Sequence, residues 1–252
     1  MLQFIRMPDP HEEMSLLSNS NHSRQERPED KVEPRQLRVW DLPTRLFHWL
    51  LVLCIVGLFV TGKIGGAMLP WHFRFGYVTG SLLLFRWVWG FVGGYHSRFG
   101  NFVRGWAGIR AYLKSGSSVT DMVGHNPLGA LSVLAMLAIL SLQVGLGLFA
   151  DDRVAFSGPL SSMLNEKSVR LLTKIHKLIG NLLVPGLVSV HVLAIYGYWR
   201  FKKHNLVAPM WDGNQKAVQS AVGSRDDWRR RLLALLIWLM CFGLFVWIAS
   251  RG

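Results

Sequence analysis

Residues 171–199 read LLTKIHKLIGNLLVPGLVSVHVLAIYGYW, a run apolar enough to lie in a bilayer that nevertheless carries two imidazoles, His176 and His191. Fifteen residues rise about 22 Å along a regular α-helix and turn through about 60° modulo full turns. The two rings therefore share a broad face and sit near opposite leaflets. Two further histidines stand at the ends of other apolar runs, His48 in RLFHWLLVL and His72 in LPWHFRFGYV. Neutral imidazole is an axial ligand for iron, and filling both axial positions of a haem favours electron transfer over oxygen binding. Taken singly, each histidine could be an interfacial residue beside Trp and Tyr. Four at matched depths are what two bis-imidazole b-type haems, one near each surface, require.

The elements that must position these rings are visible as apolar blocks. The chain has 252 residues, half of them hydrophobic, and five runs approach or exceed the roughly 20 residues needed to span a hydrocarbon core. They fall near 46–62, 73–92, 127–150, 171–198 and 232–249. The expected fold is an all-α integral membrane bundle, with four helices forming a haem-binding core and a fifth transmembrane helix beyond it. Residues 1–36, rich in Ser, Asn, Glu, Arg and Pro, are expected to be a disordered cytoplasmic tail. Residues 37–214 form the core, and 215–252 a cytoplasmic linker with the fifth span.

A formal net charge of +13 would suggest nucleic acid in a soluble domain, but here the basic residues lie between apolar blocks, where they set topology. Nineteen Lys and Arg fall in the tail and the connections on its side, against five on the other. The N-terminus is thus expected in the cytoplasm and the C-terminus outside. Cys54 and Cys241 both lie inside apolar runs, which argues against a disulfide framework or a thiolate metal site. In the second cytoplasmic connection, Phe99, Phe102, Val103, Trp106, Ile109 and Leu113 recur at helical spacing with interleaved basic residues. That pattern suggests a short helix lying in the membrane surface among lipids.

Depth pairs His48 with His191 on the cytoplasmic side and His72 with His176 on the outer side. Gly76 and Gly180 each follow a histidine by four residues, leaving space one turn along where a flat macrocycle could lie. Pro185 cannot donate to the carbonyl of Asn181, so a kink is expected between the two histidines of the fourth span. Haem propionates need cations: Arg74 and Lys174 are outer candidates, and Arg38, Arg45 and Arg86 cytoplasmic ones. Arg86 has an alternative reading, snorkelling to the headgroups from near its helix end. His125, in GHNPLGAL, reads as an interfacial or helix-start residue, with ligation as the less favoured alternative.

RVWDLPTRLFHWLL, WHFRFGYVTGSLLLFRWVWGFVG, GHNPLGAL, IHKLIG with HVLAIYGYW, and HNLVAPMWDG resemble, in order, the bacterial di-haem cytochrome b561 family, which includes the membrane cytochrome b subunits of nickel-iron hydrogenases. The resemblance covers roughly residues 37–214. It implies two non-covalent b haems ligated by His48, His72, His176 and His191. It also implies a bacterial inner-membrane location and electron passage between the quinone pool and a periplasmic redox protein, such as a c-type cytochrome or a hydrogenase. Family members that oxidise superoxide make a stand-alone superoxide:quinone oxidoreductase an alternative, so enzyme status stays open. A histidine-containing transporter without haem is a second alternative, but it calls for acidic residues within the spans, which these lack. A cofactor-free assembly protein is a third.

Overall fold

The computed structural model describes residues 35–103, 105, 110, 114, 123–217 and 221–251. Five helices long and apolar enough to cross a membrane organise them: α1 Leu42–Ile64, α2 Leu69–Val92, α3 Pro127–Gly147, α4 Glu166–Lys202 and α5 Trp228–Ala249. The chain is a multi-pass membrane protein with the expected all-α bundle. The tail, apart from Arg35 and Gln36, and most of the expected interfacial helix lie outside the described residues.

Capping chemistry sets the start of four of the five helices, and three of these, α1, α4 and α5, begin before their apolar runs do. Asp41 accepts from Thr44 N at 2.9 Å to cap α1, Asn165 from Ser168 N at 2.9 Å to cap α4, and Asp227 from Arg230 N at 3.0 Å to cap α5. Asn126 caps α3 through Gly129 N at 2.6 Å, with Pro127 in the first turn. An N-cap side chain satisfies a backbone donor that the helix cannot, and proline lacks the donor altogether. At the far end of α1, Gly65 turns the chain with φ 65°, a conformation that suits glycine.

The bundle is built around α2. Half of its most apolar stretch is buried, against 17% for α1, α3 and α5 and 6% for α4. Helices in lipid approach closely where side chains are small. Gly80 of α2 lies beneath the Phe245 ring of α5, and Gly90 beneath the Phe99 ring, so that any side chain at either position would collide. The fifth span thus packs directly on the helix that carries His72. Phe99 and Phe102 are buried in the core, not spread on the membrane surface as their spacing suggested. Phe99 packs on Gly90 and against the Trp87 and Phe91 rings of α2, and on Phe102, which the periodicity of one segment could not reveal.

A two-stranded antiparallel ribbon adds to the helices, with Arg35–Arg38 pairing against Asn214–Ala217 in the register Arg35↔Ala217 to Arg38↔Asn214. It ties together the two ends of the expected core. The linker folds back onto it: Ser224 N donates to Arg38 O at 2.7 Å and Ser224 Oγ to Val39 O at 2.7 Å.

Inside α4, Ile179–Leu183 forms one π-turn, with Val184 N donating to Ile179 O five residues back. This is the local answer to Pro185. The residue expected to kink the helix is preceded by a bulge that absorbs one extra residue between His176 and His191.

Candidate functional site

His72 and His176, the pair expected at the outer side, come together. His72, in the first turn of α2, and His176, on α4, have ring centroids 6.3 Å apart and ring planes at 88°. Two metal–imidazole bonds of ~2 Å, with ~1.1 Å from each nitrogen to its ring centre, give about 6.2 Å for two imidazoles that would share one metal. The other ring nitrogen of each is held by backbone. His72 Nδ1 lies 3.0 Å from Leu58 O, and His176 Nδ1 lies 3.0 Å from Gln143 O. A carbonyl only accepts, so Nδ1 carries the proton in both rings and Nε2 keeps its lone pair for a metal.

A cavity of about 490 Å³ opens at this pair, lined by His72, His176, Gly76, Gly180, Gln143 and Lys63 among others. It is within the size range of small-molecule and cofactor sites. A Cβ on Gly76 would meet nothing within 4 Å, so the space over that residue is free for a flat group. Gly180 also lines the cavity, and a Cβ there would come within 2.6 Å of Gln143 Nε2. Among the described residues there is no group of three or more His, Cys, Asp or Glu side chains that could hold a metal ion. Two imidazoles beside a large apolar cavity suit a metal already held by four equatorial nitrogens, which is what a haem brings.

Three supporting residues had escaped sequence reading. A Cβ on Gly62 would lie 3.1 Å from His72 Cε1, and one on Gly147 would lie 3.0 Å from His176 Cε1, so these glycines let the rings seat. Gln143 clamps His176 from both directions, its backbone carbonyl accepting from Nδ1 and its Nε2 donating to His176 O at 3.0 Å. A lone glutamine in a membrane helix was the available signal, whereas glycines carry none.

At the other end of the bundle, His48 on α1 and His191 on α4 lie within electrostatic reach of one another. His48 Nδ1 is buried without a partner, and its ring stands edge-on to Trp49 at 5.1 Å. Trp49 Nε1 donates to Met210 O at 3.2 Å, and Arg45 Nη1 to Trp211 O at 2.5 Å, so the segment after α4 covers this end.

The cations sort differently from their sequence positions. Arg74 is exposed and stacks on Trp71 at 4.7 Å, and neither it nor Lys174 lines the cavity. Lys63 and Lys177 do, as do Asp151 and Asp152 from the loop between α3 and α4. Lys63 Nζ donates to Asn181 Oδ1 at 2.7 Å, which bridges α1 to α4. Three backbone bonds, with Val154, Ala155 and Phe156, hold the Asp152 carboxyl below the usual carboxylate range. Arg38 is taken up by Asp226 at 3.4 Å. Arg86 is buried, its guanidinium 5.0 Å above the Phe99 ring and its Nη1 without a partner.

Behind this end sits a polar hub that the sequence did not disclose. The Asp41 carboxylate, 1% exposed, accepts from Thr44 N, Trp89 Nε1 at 3.2 Å, Gly94 N at 3.0 Å and Ser97 Oγ at 3.1 Å. It locks the start of α1 to the end of α2. His125 lies between Trp40, with centroids 4.7 Å apart, and Phe102, at 4.5 Å. Burial, helped by the positive Arg86, pushes its pKa down to about 3, so the ring is neutral.

A helical membrane bundle that holds opposed imidazoles over a cofactor-sized cavity defines a b-type cytochrome. Residues 39–213 match the prokaryotic cytochrome b561 family, and the chain belongs to it. Its haem is accordingly haem b. The chain is 32% identical to the probable Ni/Fe-hydrogenase B-type cytochrome subunit of Azotobacter vinelandii, across 45% of this chain and 59% of that protein. It is 29% identical to the probable Ni/Fe-hydrogenase 1 B-type cytochrome subunit of Escherichia coli (strain K12), across 45% and 60%. The corresponding subunit of Rhizobium leguminosarum bv. viciae is 26% identical, across 44% and 57%. The match thus spans less than two thirds of these relatives' length. No solved structure matches the chain.

Proposed function

We propose that the chain carries two b haems and moves electrons between them across the bacterial inner membrane, linking the quinone pool to a periplasmic redox protein. The observation that carries this reading is the outer pair: two imidazoles 6.3 Å apart, each with Nδ1 committed to a backbone carbonyl, over a cavity of about 490 Å³. A bound haem supplies one-electron chemistry at iron, and the chain's residues do the rest. His72 and His176 hold the outer haem, and His48 and His191 the inner one. Lys63 and Lys177 at the outer end, and Arg45 and Arg86 at the inner, supply positive charge for its carboxylates. The relatives are hydrogenase cytochrome subunits by name, which makes a periplasmic hydrogenase the partner to test first. The N-terminus is cytoplasmic and the C-terminus periplasmic, supported by the excess of basic residues on one side.

The test is a pyridine haemochrome assay on purified protein with a reduced-minus-oxidised spectrum. Two haems per chain, six-coordinate, are expected, and oxidation by a quinone analogue should follow. A colourless preparation would end the reading, and a reproducible value of one haem would remove one histidine pair from it.

A further inference from the structure

The two imidazole pairs differ in what holds the ring nitrogen that faces away from a metal. His72 is held by the last turns of α1, its Nδ1 lying 3.0 Å from Leu58 O and 3.3 Å from Thr61 Oγ1. Thr61 is buried, and its hydroxyl proton is committed to Gly57 O at 2.6 Å. Toward His72 that oxygen can therefore only accept. The Nδ1 proton is shared between two oxygens on one helical turn, the Thr61 contact being the longer and weaker. Gly62 lets the ring reach them, since a Cβ there would lie 3.2 Å from Nδ1. On the opposite side, His176 Nδ1 donates to Gln143 O at 3.0 Å.

The other pair lacks such acceptors. His48 Nδ1 is buried without a partner, so only Nε2 is left to face a metal, and no described residue accepts a hydrogen bond from the His191 ring. A hydrogen bond donated by Nδ1 pushes electron density through the ring and makes Nε2 a stronger donor to iron. The stronger donor favours the ferric over the ferrous state, which lowers the reduction potential. Charge at the cavity does not offset this, because Lys63 and Lys177 are matched there by Asp151 and Asp152.

We propose that Thr61, with the carbonyls of Leu58 and Gln143, holds the haem of the His72/His176 pair at a lower potential than the haem of the His48/His191 pair. Thr61 is a positioning residue, acting on iron only through His72. The inference rests on the reading of both pairs as haem ligands. A single electron shared by the two sites then rests at the His48/His191 end: one iron is oxidised as the other is reduced, with no bond or proton changed.

The test is potentiometric titration of purified holoprotein in detergent, each component being assigned by the histidine variant that removes it. In the unmutated protein the component lost in His72→Ala should be at least tenfold harder to reduce than the one lost in His48→Ala, about 59 mV for one electron. Thr61→Val keeps the shape and removes the acceptor. It should retain two haems and ease reduction of the lower component about threefold, near 28 mV, with the other component unmoved. Thr61→Ser keeps the oxygen and should titrate as the unmutated protein does, a rescue that a packing role alone would not give. Thr61→Ala is read instead if Thr61→Val does not accumulate. Equal potentials or the reverse order would overturn the proposal, and so would two haems with both potentials unchanged in Thr61→Val. A single haem in the unmutated protein would overturn the ligand reading and the proposal with it.

Discussion

Filling the outer cavity from the protein side tests the site without touching a ligand. Gly76 lines the cavity, and a Cβ there meets nothing within 4 Å, so the side chain of Gly76→Leu starts in open space in the apo bundle. The same four carbons would intrude on a macrocycle lying over Gly76 between His72 and His176. Forcing extra methylenes into a filled space costs about 1–3 kcal/mol, which is roughly a 5- to 140-fold loss of affinity. A rigid ring with both axial bonds fixed has little room to relax, so the upper part of that range applies. The assay is haem content per chain after purification through a detergent wash, with the spectrum of the residual component. Gly243→Leu serves as control, because it too meets nothing within 4 Å but lies on α5, away from the cavity. The expected outcome is loss of the component that His72→Ala removes, with normal expression and an intact second haem. If Gly76→Leu keeps both haems with unchanged spectrum and retention, nothing flat lies over Gly76 and the cavity has another purpose.

His72→Ala and His176→Ala should abolish one redox component and His48→Ala and His191→Ala the other; a redox titration in which His48→Ala and His72→Ala leave the same residue would refute the pairing. Asp41→Ala strips the acceptor from four buried donors and should destabilise the bundle by about 3–5 kcal/mol, read as earlier thermal loss of the haem spectrum. An undisturbed melting profile would show the hub to be incidental. His125 has a folded pKa of about 3, lowered from 6.5, so the unfolded chain takes up the proton first on acidification. Stability is therefore full above about pH 6.5 and falls toward pH 3, by at most about 1.4 kcal/mol per unit. His96, also lowered by burial, adds to the slope. His125→Phe should flatten it in thermal inactivation measured from pH 7 to pH 5. Reporter fusions should place a tag after Gly252 outside and one near Gly116 in the cytoplasm, and the opposite pattern would invert every depth assignment.

What could be read in the sequence was whatever is chemically rare in its setting. An imidazole in an apolar run is conspicuous, and helical rise alone then matched His72 with His176 at the right depth. The five spans were legible because lipid demands long apolar blocks. Features that depend on a distant neighbour were not. Asp41 could be recognised as a cap before Leu42 and Pro43, but its other donors, on Trp89, Gly94 and Ser97, lie 48 to 56 residues away. Gly62 and Gly147 matter because of what presses on them, and glycine has no side chain to advertise it. Lys63 outranks Arg74 at the cavity because the last turn of α1 places it in the lining, while Arg74 is exposed and stacks on Trp71.

The fourth span shows why fold and cofactor belong to one argument. α4 carries two of the four imidazoles yet buries only 6% of its most apolar stretch, and Leu182, Val190, Val192 and Leu193 lie exposed along it. In lipid no hydrophobic force draws such a helix onto its neighbours. What the chain itself provides is a short set of polar ties: Lys63 to Asn181, Gln143 to His176, and Asn126 Nδ2 to Tyr198 Oη at 2.6 Å. At about 0.5–1.5 kcal/mol each, these fix register more than they supply cohesion. On the proposed ligand set, two imidazoles from α4 would supply the rest, and haem loading and helix docking would then be a single equilibrium. The π-turn belongs to the same logic. By absorbing one residue it makes the interval from His176 to His191 count as about fourteen helical steps, an offset near −40° instead of +60°. His191 is thereby swung roughly 100° around the α4 axis from where an unbroken helix would aim it, into electrostatic reach of His48. If each pair holds a haem as proposed, the irregularity at Pro185 is what would aim both α4 imidazoles at their partners.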